Sequence, residues 1–320
     1  MKALICGISG QDGAYLARLL IEKGYAVTGA SRDAEVTSFT NLEKLGIRDK
    51  IEVTSMALTD FRSVIQVLKN SNPDEIYNLS GQSSVGLSFN QPVETLESIV
   101  TGTLNLLEGI RFLERPIKFY NAGSSECFGD IGEQAANEST LFQPRSPYAV
   151  AKAAAFWEVA NYREAYDLFA CTGILFNHES PLRPYRYVTR KIISSAVRIA
   201  TGKQEILQLG NINITRDWGW APEYVEAMWK IMQHNEPDDF VIATGESNSL
   251  KDFVEHTFTK LGLNWQEHVE TNSQLFRPTD LTISKANPHK ANTVLGWKAQ
   301  NKMRDIIEMM IEVETRKTTQ

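Results

Sequence analysis

Apolar segments of strand length alternate with amphipathic segments of helix length through the first half of the chain. Continuous or period-two apolar runs predict strands, whereas apolar positions every three to four residues predict helices. The predicted strands are residues 3–6, 26–30, 51–54, 75–79, 117–121 and 169–176, and the predicted helices are 14–23, 61–69, 102–112 and 149–166. This alternation predicts an α/β fold of the Rossmann type, built on a doubly wound parallel sheet.

The alternation weakens after residue 176. Prolines and glycines then separate shorter segments, at Pro181, Pro184, Gly202, Gly210 and Pro222. A helix is predicted near the end of the chain, at residues 303–314. We therefore expect a Rossmann domain at residues 1–176, with a returning segment around 208–245, and a smaller C-terminal α/β domain formed mainly by residues 177–320.

Composition and charge limit the classes of partner that we expect and the cellular compartment. The formal net charge is −6 without a block of basic residues, which argues against a nucleic-acid or membrane surface. No apolar run approaches the roughly 18 residues of a membrane span, and Met1 leads into a strand rather than a signal sequence, so we expect a cytoplasmic protein. Cys6, Cys127 and Cys171 lack metal-ligand spacing, so we expect reduced thiols and no metal.

A glycine-rich loop joins the first predicted strand to the first predicted helix. Gly7, Gly10 and Gly13 are spaced as G-x-x-G-x-x-G. Glycine there permits a tight turn and a close approach of the backbone to a pyrophosphate, which the helix N-terminal amides face. Three glycines also occur in turns for packing reasons, but this position in a βαβ unit favours a dinucleotide cofactor.

The end of the second predicted strand bears on which dinucleotide binds. NAD-binding chains normally place a carboxylate there, which accepts hydrogen bonds from the ribose 2′-hydroxyl. This chain has Ser31 followed by Arg32, a hydroxyl and a cation that suit a 2′-phosphate and favour NADP. The neighbouring Asp33 leaves NAD open as the alternative.

Two further motifs carry candidate chemistry. Tyr148 and Lys152 form Y-x-x-x-K on a predicted helix, where a spacing of four places both on one face and the cation favours a tyrosinate. Ser124 and Glu126 follow a predicted strand, at the sheet edge where ligands bind. Ser124 suits hydrogen bonding to a reacting oxygen, and Glu126 suits breaking a C–H bond beside a carbonyl, although Glu126 is also a typical helix N-terminal acid.

Over nearly its whole length the chain resembles the GDP-mannose 4,6-dehydratase family of extended short-chain dehydrogenases. The motifs that carry the resemblance are GISGQDGAYL at 7–16, NLSGQSSVG at 78–86, PRSPYAVAK at 144–152, NYREAY at 161–166, GILFNHESPLR at 173–183, VTRKI at 188–192 and YVEAMW at 224–229. The resemblance implies that 1–176 binds NADP and that 177–320 mainly binds a GDP-sugar, which is converted to its 4-keto-6-deoxy form.

The resemblance also assigns roles to the candidate residues. Tyr148 would be the base that helps oxidise the sugar at C4, while Lys152 orients the cofactor ribose and lowers the proton affinity of the phenol. Glu126 would remove the C5 proton and assist loss of the 6-hydroxyl, after which hydride returns to C6. Ser124 stands where the family usually has threonine.

Binding residues follow from the same resemblance. The implied NADP contacts are Gly7, Ser9, Gly10, Gln11, Asp12, Gly13, Ser31, Arg32, Leu58, Leu79, Gln82, Tyr148, Lys152, His178 and Arg183. The implied GDP-sugar contacts are Ser83, Glu126, Asn177, Val188, Lys191, Gly210, Arg216 and Arg277. For the charged members of both sets, ordinary surface ion pairs are the alternative interpretation.

The chain departs from the family pattern in ways that leave alternatives open. The family's paired arginines after the second strand, which hold a neighbouring subunit's cofactor in a tetramer, are reduced to Arg32, so both a homodimer and a homotetramer stay open. The GSSE sequence at 123–126 also resembles GDP-4-keto-6-deoxymannose reductases. Pro184 and Tyr185 replace small or acidic loop residues, which leaves a different GDP-sugar open. A non-catalytic NADP sensor is the third reading.

Overall fold

The computed structural model describes residues 1–318. Its strands are β1 (Lys2–Cys6), β2 (Ala26–Ser31), β3 (Glu52–Ser55), β4 (Glu75–Asn78), β5 (Lys118–Ser124), β6 (Ala135–Ala136), β7 (Ala170–Leu175), β8 (Asn177–Glu179), β9 (Leu207–Leu209), β10 (Thr215–Trp220), β11 (Phe240–Ile242), β12 (Ser247–Ser249), β13 (Val269–Thr271) and β14 (Lys285–Ala286).

The α-helices are α1 (Gln11–Glu22), α2 (Thr40–Lys44), α3 (Phe61–Ser71), α4 (Val85–Asn90), α5 (Pro92–Leu96), α6 (Gly102–Leu113), α7 (Pro147–Tyr166), α8 (Val188–Ala200), α9 (Ala221–Gln233), α10 (Leu250–Lys260), α11 (Trp265–His268), α12 (His289–Val294) and α13 (Met303–Thr318). Shorter 3-10 helices cover Arg48–Lys50, Ser125–Phe128 and Ser273–Leu275, and a π-helical turn covers Glu97–Thr101.

The central sheet has seven strands in the order β11-β7-β5-β4-β1-β2-β3. Every neighbouring pair in it is parallel, so all the carboxyl ends lie along one edge. The chain order reverses between β1 and β4, which is the switch point where ligands bind in such sheets. The predicted Rossmann-type α/β fold is confirmed, and each of the six predicted strands takes part in the sheet.

The seventh strand, β11, is the one that the pattern did not predict as a strand. It has only three residues, FVI, and lies far from β7 in sequence, so neither period nor length marks it. It pairs with β7 at the end of the sheet, and all three residues are buried because Phe240 and Ile242 pack in one core cluster with Tyr224, and Val241 in another with Phe176. The helix before it, α9, packs against α1 and contributes Tyr224, Val225 and Met228 to the same core.

A second hydrophobic cluster forms from residues of 188–311. It contains Ile192 and Ile193 of α8, Phe253 and Phe258 of α10, and Ile307 of α13. Small sheets complete this part of the molecule, β8-β10-β12 and β9-β13. β8 follows directly after β7 in the chain and pairs in parallel with β10. The C-terminal part of the molecule therefore begins at the carboxyl end of β7, and its loops face the carboxyl edge of the central sheet.

The start of α7 is set by its sequence. Ser146 is the N-cap and its hydroxyl accepts a hydrogen bond from the amide of Ala149, while Pro147 occupies the first turn. Tyr148 therefore lies in the first turn, and Lys152 lies one turn later on the buried face. Within residues 1–318, no helix is both long and apolar enough to cross a membrane, and no group of three metal-ligating side chains comes together.

Candidate active site

A cavity of about 440 Å³ opens at the carboxyl edge of the central sheet. The predicted residues that line it are Asp12, Leu79, Gln82, Ser83, Ser124, Glu126, Tyr148, Lys152, Asn177, His178, Arg183, Val188, Lys191, Gly210, Arg216 and Arg277. The other predicted residues lie outside this cavity, next to the ends of β1, β2 and β3, and are Gly7, Ser9, Gly10, Gln11, Gly13, Ser31, Arg32 and Leu58. The two groups share one sheet edge.

The loop between β1 and α1 is shaped to receive a pyrophosphate. Gly7 has a φ of +85°, and a Cβ atom there would lie 2.7 Å from the carbonyl oxygen of Leu79. A Cβ atom at Gly13 would lie 2.4 Å from the carbonyl oxygen of Gly7. Gly10 precedes α1, and no side chain caps the amides of its first turn. These amides suit phosphate oxygens, so the residues present fit a dinucleotide.

Gln11 and Asp12 tie this loop to β8. The Gln11 amide donates to the carbonyl of His178 at 3.2 Å, and its oxygen accepts from Ser180 at 2.7 Å. His178 contacts the Asp12 carboxylate through Nε2 at 2.9 Å and the Phe176 carbonyl through Nδ1 at 2.7 Å. Both partners accept hydrogen bonds, so the doubly protonated ring is the form that satisfies both contacts.

The electrostatics of the histidine agree with this assignment. Burial favours the neutral ring, but the charge and hydrogen bond of Asp12 outweigh it and raise the pKa of His178. For Asp12, burial opposes ionisation, yet the charge of His178 leads the groups that lower its pKa overall. The ion pair thus fixes the first turn of α1 against β8, a positioning role that sequence reasoning did not find.

The end of β2 is polar and exposed. The Ser31 hydroxyl lies 2.8 Å from that of Thr37, and Arg32 forms an ion pair with Glu94 at 3.0 Å. The Asp33 carboxylate accepts the amides of Glu35 and Val36 at 2.9 and 3.3 Å, which closes a local turn. One oxygen of this carboxylate, Oδ1, is therefore bonded to its own loop.

One wall of the cavity, here called the strand-end wall, consists of Ser124, Glu126, Tyr148 and Lys152. Ser124 ends β5 and accepts the amide of Glu126 at 3.3 Å, so Glu126 stands in the short helix that follows. Tyr148 and Lys152 reach this wall from α7, and both are buried. The ammonium of Lys152 donates to the carbonyl of Ala122 at 2.8 Å. The structure thus brings together the four predicted catalytic residues.

Burial shifts the protonation of every titratable group in this wall. It raises the pKa of Tyr148, against a hydrogen bond from Ser124, and it lowers the pKa of Lys152 to about 8. It also raises the pKa of Glu126, which Arg216 and Arg277 oppose. Burial therefore dominates the pKa of the Tyr148 phenol, and a lowering of that pKa by Lys152 stays a prediction.

A second wall, here called the arginine wall, consists of Arg183, Arg216 and Arg277 with the carboxylates that bind them. Arg183 pairs with Glu179 at 3.2 Å. Asp280 pairs with both Arg216 at 3.0 Å and Arg277 at 3.4 Å. Each guanidinium therefore has a counterion, and the Asp280 carboxylate holds two cations from distant segments side by side.

Other predicted sugar-nucleotide residues lie around the arginine wall. Asn177 begins β8, and Val188 begins α8. Lys191 donates its ammonium to the carbonyl of Gln208 at 2.6 Å. A Cβ atom at Gly210 would lie 2.9 Å from the carbonyl oxygen of Leu275, so only glycine lets these two segments meet. The backbone segments around Gly210 and Leu275 therefore form part of the cavity wall.

Sequence reasoning missed three residues that shape the cavity. Glu179 and Asp280 are the counterions of the arginine wall, and Tyr187 places its hydroxyl 2.7 Å from that of Ser83. Glu179 lies within the motif HESPLR and Tyr187 directly precedes the motif VTRKI, which could have drawn attention to both residues. Asp280 has no such signal, because its role depends on contacts with residues far away in the sequence.

Comparisons with known proteins agree on one family. A family model described as GDP-mannose 4,6 dehydratase matches residues 4–310. GDP-mannose 4,6 dehydratase 1 of Arabidopsis thaliana is 45% identical over 320 residues, which cover 97% of this chain and 88% of that protein. The human GDP-mannose 4,6 dehydratase is 40% identical over 337 residues, covering 98% of this chain and 91% of that protein.

Solved structures share the fold at lower identity. A dTDP-glucose 4,6-dehydratase from Streptomyces venezuelae, DesIV with NAD and TYD bound, has a TM-score of 0.88 and 18% identity, covering 99% of this chain and 97% of that one. RMD from Pseudomonas aeruginosa complexed with NADPH has a TM-score of 0.82 and 19% identity, and the match covers 99% of this chain and 98% of that one. These neighbours are nucleotide-bound proteins of the same α/β architecture.

Proposed function

Because the chain belongs to the GDP-mannose 4,6-dehydratase family, we propose that GDP-mannose lies with its hexose on the strand-end wall and its diphosphate on the arginine wall. The enzyme removes water from GDP-mannose and yields GDP-4-keto-6-deoxymannose. The observation that carries the placement is Glu126, which shares one wall with Ser124 and Tyr148. A simple dehydrogenase has no need of that carboxylate.

Each residue of the strand-end wall then has a step to perform. Tyr148 accepts the proton of the C4 hydroxyl, Ser124 hydrogen-bonds the C4 oxygen, and the Lys152 ammonium balances the negative charge on the phenol. A nicotinamide dinucleotide held by the loop between β1 and α1 would supply the redox chemistry, as the temporary store of the hydride from C4. The proton that Tyr148 took from the C4 hydroxyl balances the proton that C5 regains, so the net change is the loss of one water.

Glu126 performs the elimination between these two hydride transfers. The C4 carbonyl acidifies the C5 proton, which the Glu126 carboxylate removes. The same carboxyl group then gives a proton to the 6-hydroxyl, which leaves as water. Burial raises the pKa of Glu126, although Arg216 and Arg277 oppose the shift. A raised pKa makes the carboxylate a stronger base, which suits removal of the C5 proton.

Arg216 and Arg277 are the residues we assign to the diphosphate. Both are permanently charged, both line the cavity, and their shared partner Asp280 fixes their spacing. Lys191 lies at the start of α8 on the same side. Charged hydrogen bonds from these groups hold the nucleotide while the hexose reacts.

The function is tested by a redox balance. Incubated with GDP-mannose and catalytic cofactor, the enzyme should form a product lighter by one water, as measured by mass spectrometry, with no sustained consumption of reduced cofactor. A net reductase of a 4-keto sugar would instead consume NADPH in proportion to product and would leave GDP-mannose unchanged. Binding without turnover of GDP-mannose would favour the sensor.

We propose that the cofactor is NADP. Ser31 and Arg32 supply a hydroxyl and a cation at the end of β2, whereas the Asp33 carboxylate already caps its own turn. Arg32→Ala should weaken NADPH binding about tenfold and leave NADH binding unchanged, since one charged hydrogen bond is lost. Arg62→Ala, an exposed cation on α3, is the matched control in fluorescence titrations. Equal loss for both cofactors would favour NAD.

We propose a homodimer formed through α6 and α7. These helices pack side by side and expose large apolar side chains, among them Phe112, Trp157 and Tyr166. Trp157 is 63% exposed, and a twofold axis through this face would cover both copies of it. Trp157→Arg should convert the dimer to a monomer in light scattering. The loop 33–40 has no basic residue for a tetramer contact.

We also propose the division of labour along the chain. Residues 1–176, with a returning segment around 208–245 that includes α9 and β11, would hold the cofactor. Residues 177–320 would mainly hold the GDP-sugar, supported by the second cluster of residues 188–311. The last two residues lie outside the described range. The cytoplasmic location stays a prediction.

A further inference from the structure

Tyr187 reaches across the cavity to a loop of the central sheet. Its hydroxyl lies 2.7 Å from the hydroxyl of Ser83, and both residues line the cavity. Ser83 belongs to the loop after β4, whereas Tyr187 immediately precedes α8. The contact therefore joins two segments that close around the same ligand space.

The position of the Tyr187 ring does not depend on this contact. Its amide donates to the carbonyl of Pro184 at 3.1 Å, and its own carbonyl accepts the amide of Lys191 at 2.9 Å. The guanidinium of Arg183 lies 4.0 Å from the centre of the ring and is itself paired with Glu179. A cation over an aromatic face is stabilising, so the ring has a fixed support.

The two hydroxyls belong to the same cavity as the reacting group, because Ser83, Tyr187 and Tyr148 all line it. A hydroxyl can donate one hydrogen bond and accept two. The contact between Tyr187 and Ser83 uses one donor, so one donor and several lone pairs stay available to a ligand.

The chemistry of the reaction limits which part of the sugar these hydroxyls can recognise. In GDP-mannose, C1 carries the nucleotide, the C4 hydroxyl is oxidised, the C5 oxygen closes the ring, and the C6 hydroxyl leaves. Only the hydroxyls at C2 and C3 pass through the reaction unchanged. A polar group beside Tyr148 that takes no part in proton transfer can therefore select the hexose through one of these two.

We propose that Tyr187 and Ser83 together bind the C2 or C3 hydroxyl of the hexose, and that Tyr187 is a specificity-determining residue. This inference rests on the proposed function, because it takes the hexose to lie on the strand-end wall. A site built to hydrogen-bond a substrate hydroxyl discriminates against the analogue that lacks it, since its own polar groups are then left without a partner.

The test compares Tyr187→Phe with the wild type on GDP-mannose and on its 2-deoxy and 3-deoxy analogues. The wild type should prefer GDP-mannose over one analogue by about 3- to 30-fold in kcat/KM. Tyr187→Phe keeps the ring on Arg183 but removes the hydroxyl, so this preference should disappear, and Ser83→Ala should act in the same way. The analogue whose discrimination is lost identifies the hydroxyl as C2 or C3.

Tyr25→Phe is the matched control. Its hydroxyl lies 3.4 Å from a carboxylate oxygen of Glu75, and Tyr25 does not line the cavity, so the wild-type preference should persist. A Tyr187→Phe enzyme that keeps the wild-type preference, or that loses activity equally on all three substrates, overturns the inference. Wild-type enzyme that fails to dehydrate GDP-mannose would instead count against the proposed function. Unchanged NADPH binding by the variant shows that it is folded.

Discussion

Charged side chains have different partners in the two walls of the cavity. In the strand-end wall, Lys152 faces a backbone carbonyl and Glu126 follows a strand end, and burial moves the pKa of both toward neutrality. In the arginine wall, each guanidinium has a carboxylate partner, Glu179 or Asp280. The same cavity thus contains groups whose charge is easily changed and groups whose charge is maintained.

The contrast follows from what each wall has to do. A group that moves protons works best when its pKa lies near the pH of the reaction, and burial moves the pKa of Lys152 and of Glu126 in that direction but the pKa of the Tyr148 phenol away from it. A group that holds a diphosphate has to stay charged through the whole cycle, and a counterion maintains that charge when no ligand is bound. Burial lowers the pKa of Arg216, but Asp280 and Glu126 oppose the shift.

The largest effect is expected from Glu126→Gln in the strand-end wall. The amide cannot accept the C5 proton, so kcat should fall at least about 10³-fold, while KM changes little. Oxidation at C4 depends on Tyr148 and should continue, so reduced cofactor should accumulate. Steady-state kinetics and the absorbance of the reduced cofactor measure both effects.

A nearby exposed carboxylate provides the control for this experiment. Glu133 follows the same strand end and pairs with Lys285 at the surface, so Glu133→Gln should retain full activity. If the Glu126→Gln variant eliminated water at a rate within tenfold of the wild type, the acid/base role of Glu126 would be wrong. Glu126 would then be an ordinary helix N-terminal acid.

Arg216→Met tests the arginine wall and should have the next largest effect. It removes a buried cation next to the diphosphate, so KM for GDP-mannose should rise about 10- to 100-fold with kcat nearly kept. Because Arg216 lowers the pKa of Glu126, its loss should also move the acid limb of kcat/KM to higher pH. Arg198→Met, an exposed cation on α8, is the control. A fall in kcat as large as that in kcat/KM would place Arg216 in the chemistry.

The same contrast explains what could be predicted from sequence. The glycine loop and the strand-end wall could be predicted from local patterns, because the glycine spacing, the end of β5 and the Tyr148–Lys152 spacing each involve only a few neighbouring residues. The arginine wall depends on meetings between distant segments, such as Asp280 with Arg216, and its cations were found by resemblance while their counterions were not. The strand β11 was not predicted for the same reason, because it is defined by its pairing with β7, which is distant in the sequence.

The smallest effect is expected from Glu158→Gln on α7, the helix that supplies Tyr148 and Lys152. One carboxylate oxygen of Glu158 is buried without a hydrogen-bond partner, and burial raises its pKa from 4.5 to about 7. The folded protein therefore favours the neutral carboxyl. The contribution of Glu158 to the free energy of unfolding should be fully present below pH 4.5 and should be lost as the pH rises through about 7, since the unfolded chain ionises first.

Glutamine removes this ionisation, so Glu158→Gln should gain about 1–3 kcal/mol at about pH 8 and nothing below the unfolded pKa. Urea unfolding at both pH values measures the difference. Activity should be retained, because Glu158 does not line the cavity. If the gain were the same at both pH values, the carboxylate would be well solvated in the fold. The contrast between the walls would then belong to the catalytic residues themselves and not to the helix that carries them.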